Sequence, residues 1–204
     1  MDTTILLVRH GQTEWNRNER FRGRFDLSLN EKGLDQAERT ADRISKAWKL
    51  AAVYSSPLSR AMKTAEIIAQ PHSVEVLPDS GLIDIDYGEW QGLTPSEVGE
   101  RWPRQYDCWM NNPAESKIPG GESLLEVRAR AMDFFTETAK NHVNQTVLLV
   151  SHTVVIRLLL LSVLGIGVQA FWRLGQEPCA LNVIRQKEQS YILASMNDTC
   201  HLGN

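Results

Sequence analysis

The chain of 204 residues carries 22 Lys+Arg against 25 Asp+Glu, a formal net charge of -3. Without a basic excess, an extended nucleic-acid surface is disfavoured. At 42% hydrophobic and 23% charged, the composition is that of a globular chain with a sizeable core, outside the low-hydrophobicity regime of disorder. The length predicts a single domain, residues 1–204, with a lid-like insertion around 85–120.

No membrane span is expected, because the longest apolar stretch, Val154 to Val168, is broken by Arg157 and falls short of ~20 residues. No basic segment or cleavage site precedes the apolar run at Ile5, so a cytoplasmic location is expected. Cys108, Cys179 and Cys200 are too few and too far apart for a disulfide framework or a CxxC metal pair, and are read as reduced thiols.

Ile5 to Val8 reads as a buried strand that ends in the polar sequence RHG. Asn30 offers an N-cap, and Leu34, Ala37, Ala41, Ile44 and Ala47 recur at helical spacing through Trp48. Ala51 to Tyr54 is a second strand. Ser56 and Pro57 are placed as N-cap and first helical residue of a segment running from Leu58 to Ala69. A short third strand is expected near Val74 to Leu77. Thr94, Pro95 and Glu97 form a capping-box start for a short helix, and Ser123 with Glu126 starts a longer one reaching about residue 142. Thr146 to Val150 is the next strand. It ends in Ser151 and His152 and leads into a hydrophobic helix from about Val154 to Leu164. Leu181 to Arg185 and Tyr191 to Ala194 close the pattern as strands.

Strands alternating with helices predict an α/β fold with a mostly parallel central sheet covered on both faces, and ligands beyond the carboxyl ends of its strands. Two of those ends carry histidines, His10 and His152, and a third leads to Arg60. With Arg9 this gathers two arginines and two histidines at one sheet edge. Guanidinium groups hold phosphate oxygens bidentately, and a neutral imidazole can attack phosphorus. The same residues lack metal-ligand spacing, and no metal or other cofactor is expected.

The segments LVRHGQTEWN, RFRGRFDLSLNEKG, VYSSPLSRAMKTAEII, IDIDYGEWQG, GGESLLEVRAR and VSHTVVIR follow one another along nearly the whole chain. In order and spacing they resemble the histidine phosphatase superfamily, in its phosphoglycerate mutase-like branch, and the stretch from NQTVLLVSHTVVIR through NDTCHLGN resembles most closely its metal-independent phosphoserine phosphatases. The resemblance implies a three-layer sandwich and a phosphohistidine intermediate at His10. Arg9, Arg60 and His152 would surround the phosphoryl group, with Thr13 and Asn16 contacting or buttressing it and Thr153 supplying an amide.

A proton donor for the leaving alkoxide is also implied, usually a glutamate before the GxWxG turn. Asp84 stands there, one methylene shorter, and is favoured over Asp86 and Glu89 by its register to Gly88, Trp90 and Gly92. Arg22 replaces a frequent glutamine, either to meet a second anion on the substrate or to pair with a nearby acid. Of two histidines that grip the amino acid in the phosphoserine enzymes, His201 matches one, while Tyr87 occupies the place of the other.

The expected function is therefore a metal-independent phosphomonoesterase acting on a small phosphorylated metabolite, foremost phosphoserine. Phosphoglycerate mutase, alpha-ribazole phosphatase and broad-specificity phosphatase activities stay open, as does a binding module for phosphorylated ligands that has lost catalysis. Self-association as a homodimer is an analogy with relatives.

Overall fold

The computed structural model describes residues 3–17, 20–188 and 190–203, with the side chains of Asn16 and Arg17 outside that description. In chain order the elements are β1 (Thr3–Arg9), α1 (Glu14–Arg17), α2 (Glu31–Ala47), β2 (Leu50–Ser55), α3 (Ser59–Ala69), β3 (Val76–Pro78), α4 (Pro95–Arg101), α5 (Pro103–Asn111), α6 (Leu124–Asn141), β4 (Thr146–Ser151), α7 (Thr153–Val163), β5 (Leu181–Lys187) and β6 (Ser190–Asp198). They form one six-stranded sheet in the order β3-β2-β4-β1-β5-β6. The first four strands in that order are parallel, and β5 and β6 add an antiparallel edge. The α/β architecture expected from the alternating pattern is the one observed.

Both faces of the sheet are covered, and the period of two along its central strands shows why. Ile5 and Leu7 of β1, with Val147 and Leu149 of β4, join the core under α6 and α7. Leu6, Val8, Leu148 and Val150 point the other way, into the core under α2 and α3. A continuous apolar run is what a strand buried on both sides requires. Asn30 caps α2 through Gly33 N, and capping boxes open α4 at Thr94 and α6 at Ser123, as the sequence indicates. No helix among the described residues is long and apolar enough to cross a membrane.

Two local expectations are corrected. α3 begins at Ser59 rather than at Pro57, because its first turn is capped from outside: Asp26 accepts from Ser59 N at 2.7 Å and from Ser59 Oγ at 2.6 Å. The region 85–120 also holds one more helix than expected, α5, which starts with Pro103 at its first position. Trp90 and Trp109 in this region are buried, and Trp172 Nε1 ties it back to the body by donating to Trp109 O at 2.8 Å.

Candidate active site

Register brings the two strand-end histidines together. In the parallel pairing of β1 with β4, Arg9 lies opposite Ser151, so His10 and His152 emerge side by side with ring centroids 5.0 Å apart. His10 is 1% exposed and its backbone N donates to Ser151 O at 3.0 Å. The Nδ1 of its ring sits 2.7 Å from the carbonyl oxygen of Gly11. Only a protonated Nδ1 can donate to that carbonyl, which leaves Nε2 unprotonated with its lone pair available. Burial, reinforced by Arg60, Arg9 and Arg22, holds the His10 ring well below the ordinary histidine value, so it is neutral at pH 7.

Gly11 is needed for this geometry. A Cβ at that position would lie 2.5 Å from the carbonyl oxygen of Gly33 in α2. Gly11 N is itself tied to Thr64 Oγ1 of α3 at 3.1 Å, so the turn that aims His10 is pinned from two helices.

Arg9 anchors one side by donating from Nη1 to the carbonyl of Gln176, and its Nε has no protein partner. Gln176 is fixed in turn by a buried amide pair with Asn182, which also donates to Leu7 O at 3.0 Å. Burial and the neighbouring Arg22 lower the Arg9 pKa, although a guanidinium keeps its charge at neutral pH. Arg22 donates from Nη1 to Trp15 O at 3.2 Å, and no carboxylate pairs with it among the described residues. Its Nε is buried without a partner.

Asp84 is 5% exposed. Its Oδ1 accepts from Ile85 N at 3.0 Å, while Oδ2 lies 3.2 Å from Arg60 Nη2 and 3.5 Å from His152 Nδ1. Burial raises its pKa, and this outweighs the opposing pull of Arg60 and Arg22. A carboxyl group so placed can hold a proton and give it up, as an acid that later serves as base must. Asp86 instead accepts from Gly88 N and lies 3.5 Å from Arg24, and Glu89 is exposed. Neither lines the cavity described next.

That cavity, of about 410 Å³, opens beyond the ends of β1 and β4 and is lined by Arg9, His10, Arg22, Asp84, Tyr87 and Thr153 among others. Thr153 and Val154 bring the N-terminal turn of α7 to its wall, where unpaired amides favour an anion. Arg60 and His152 are fully buried behind that wall. Arg60 donates to Phe25 O and Gly23 O as well as Asp84, and His152 Nε2 pairs with Ser56 Oγ at 2.7 Å. Thr13 is buried three residues after His10 and is not among the lining residues. The Asn16 side chain falls outside the described residues. His201 does not join the site: it lies in a short turn against α2, where Nε2 meets Thr40 Oγ1 at 3.0 Å.

Three contributors were missed in the sequence. Arg130 of α6 donates to the carbonyls of Gly81, Ile83 and Asp84 and pairs with Glu122, which also accepts from Asp86 N. The loop carrying Asp84 is thus held by a guanidinium distant in sequence. Ser56, a helix cap by its sequence context, instead orients His152. Arg157, which in the sequence is only a break in an apolar run, lines the cavity one turn after Thr153. Arginine at a helical position facing inward was the only signal for either arginine.

Residues 5–199 match the family model described as histidine phosphatase superfamily (branch 1). The chain belongs to that superfamily. Among its relatives, phosphoserine phosphatase 1 of Hydrogenobacter thermophilus is 39% identical over 98% of this chain and 94% of its own. The metal-independent phosphoserine phosphatase of Arabidopsis thaliana is 37% identical over 99% of this chain and 84% of its own. A solved structure of a mutant phosphoserine phosphatase from Entamoeba histolytica in complex with phosphoserine superposes with a TM-score of 0.88 at 27% identity, covering 98% of this chain and 99% of that one.

Proposed function

We propose that this histidine phosphatase hydrolyses phosphoserine in two steps, with His10 as the nucleophile and no metal. The observation that carries the reading is the His10 ring, neutral and with Nε2 free, at the floor of a cavity walled by Arg9, Arg22 and the start of α7. In the first step Nε2 attacks phosphorus, and the bond to the serine oxygen breaks. Arg9, Arg22 and the amides of α7 take up charge on the phosphoryl oxygens, and Asp84 gives its proton to the departing serine oxygen. In the second, Asp84 takes a proton from water as the water oxygen bonds to phosphorus, and the bond to Nε2 breaks. Inorganic phosphate and neutral His10 are regained.

Arg60, from behind the wall, positions Asp84 and adds positive field, with the neutral His152 ring packed beside it. The substrate choice rests on the phosphoserine phosphatases to which the chain is similar. The segment 85–120, which supplies Tyr87 and Trp109 to the cavity, serves in this reading as its lid. Three unpaired cysteines agree with action in the cytoplasm.

The test is phosphate release from phosphoserine with EDTA present. Turnover by the wild type that is lost in His10→Ala is expected. Release that needs an added divalent cation, or that survives in His10→Ala, would refute the reading, as would isomerisation of 3-phosphoglycerate without phosphate release.

A further inference from the structure

The cavity is larger than a phosphoryl group needs, and besides Arg9, Arg20 and Arg22 it is lined by a further cation, Arg157. Arg157 follows Thr153 by four residues on α7, so it sits one turn, about 6 Å, along the helix from the end that faces the phosphate. Its guanidinium is 5.1 Å from the ring centroid of Phe171 and 5.4 Å from that of Trp172, both of which also line the cavity. No acidic residue pairs with it and no protein acceptor takes its hydrogen bonds among the described residues, and its Nε is buried without a partner. A guanidinium held against aromatic rings without a protein acceptor keeps donors free to receive a carboxylate. Tyr87 also lines the cavity and interacts electrostatically with both Asp84 and Arg157.

We infer that Arg157, braced by Phe171 and Trp172 and assisted by the Tyr87 hydroxyl, is the receptor for the substrate carboxylate and so determines specificity for phosphomonoesters that carry one. This rests on the phosphoserine reading and names the part of the site that would enforce it. The carboxylate of phosphoserine begins three bonds from the ester oxygen, which matches a cation one helical turn from the phosphate. It also explains how Tyr87 can stand where the phosphoserine enzymes have a histidine, and how His201 can be turned away against α2: the grip is supplied from α7 instead. If Arg157 were only a packing residue, its loss would not distinguish substrates with and without a carboxylate.

The experiment compares kcat/KM for two matched pairs: phosphoserine against phosphoethanolamine, and 3-phosphoglycerate against 2-hydroxyethyl phosphate. Within each pair the members differ by the carboxylate. The wild type is expected to prefer the carboxylate-bearing member at least tenfold. In Arg157→Met, which keeps an apolar stem under the rings, that preference falls at least tenfold, through KM rather than kcat. Arg157→Lys retains part of it, and Tyr87→Phe reduces it by a smaller factor. A wild type without the preference, or an Arg157→Met variant that affects both members of a pair alike, would overturn the assignment while leaving phosphoserine hydrolysis standing. Turnover of the 3-phosphoglycerate pair alone, with its preference erased in Arg157→Met, would refute phosphoserine as substrate and support Arg157. Silence on all four substrates overturns both.

Discussion

Asp84 Oδ2 lies 3.5 Å from His152 Nδ1, inside a cluster where the same oxygen also meets Arg60 at 3.2 Å. An aspartate is one methylene shorter than the glutamate usual in this family, and in the proposed mechanism Arg60 holds the shorter side chain at the cavity wall. Asp84→Asn keeps the shape and removes the transferable proton. Hydrolysis of phosphoserine, whose leaving group is a poor alkoxide, is expected to fall about 10²–10⁴-fold. The loss should be much smaller for p-nitrophenyl phosphate, whose leaving group needs no proton. Equal losses on both substrates would mean that Asp84 only orients its neighbours.

His10 and His152 are both held well below the ordinary histidine value, chiefly by burial. In the unfolded chain they would bind protons near pH 6.5, while the folded protein does not. Stability is therefore expected to decline as pH drops below about 6.5. Asp84, with its raised value, acts in the opposite sense: it disfavours the fold as pH rises through its ordinary carboxylate range. Urea unfolding from pH 7.5 to 5 should show the decline, and His10→Asn should flatten it. Long-range ¹⁵N NMR on the same samples should show the His10 ring neutral at pH 6, and a ring already charged there would contradict the assignment.

Arg130→Met removes the guanidinium that holds the carbonyls of Gly81, Ile83 and Asp84. Charge-assisted bonds contribute about 1.5–3 kcal/mol each and are not additive, so a loss of about 2–4 kcal/mol in denaturant unfolding is expected. Because the loop it holds carries Asp84, kcat should fall more than KM rises. An unchanged kcat at temperatures where the variant is folded would exclude the positioning role.

Gly11→Ala forces the turn after His10 away from the Gly33 carbonyl, since a Cβ 2.5 Å from an oxygen cannot be accommodated without backbone movement. A displacement of tenths of an ångström at the nucleophile is expected to lower kcat by at least tenfold. A crystal structure with an unmoved His10 and unchanged kcat would contradict this.

Much of this site can be read in the sequence because it is local. Arg9 and His10 follow directly from β1, and Ser151 and His152 from β4, so recognising two buried runs was enough to bring them together. The register to the glycines that follow favours Asp84 over Asp86 and Glu89. What was not legible depends on contacts between distant segments. The cap that Asp26 supplies to Ser59 cannot be inferred from either neighbourhood, and for that reason the sequence assigns Ser56 to α3 while the structure pairs it with His152. Arg130 and Arg157 face inward from helices whose apolar stripes conceal them. His201 lies near the end of the chain, and only the packing of its turn on α2 shows that it faces away from the cavity.

The most direct test of the account is to identify the covalent intermediate. Wild-type protein is mixed with phosphoserine, quenched in base on the millisecond scale to preserve an acid-labile phosphoramidate, digested and sequenced by mass spectrometry. Phosphate on the ring of His10, appearing before free phosphate and absent in His10→Ala, is the predicted result. Phosphate on any other residue, or steady release of phosphate with no phosphoenzyme in the wild type, would contradict it.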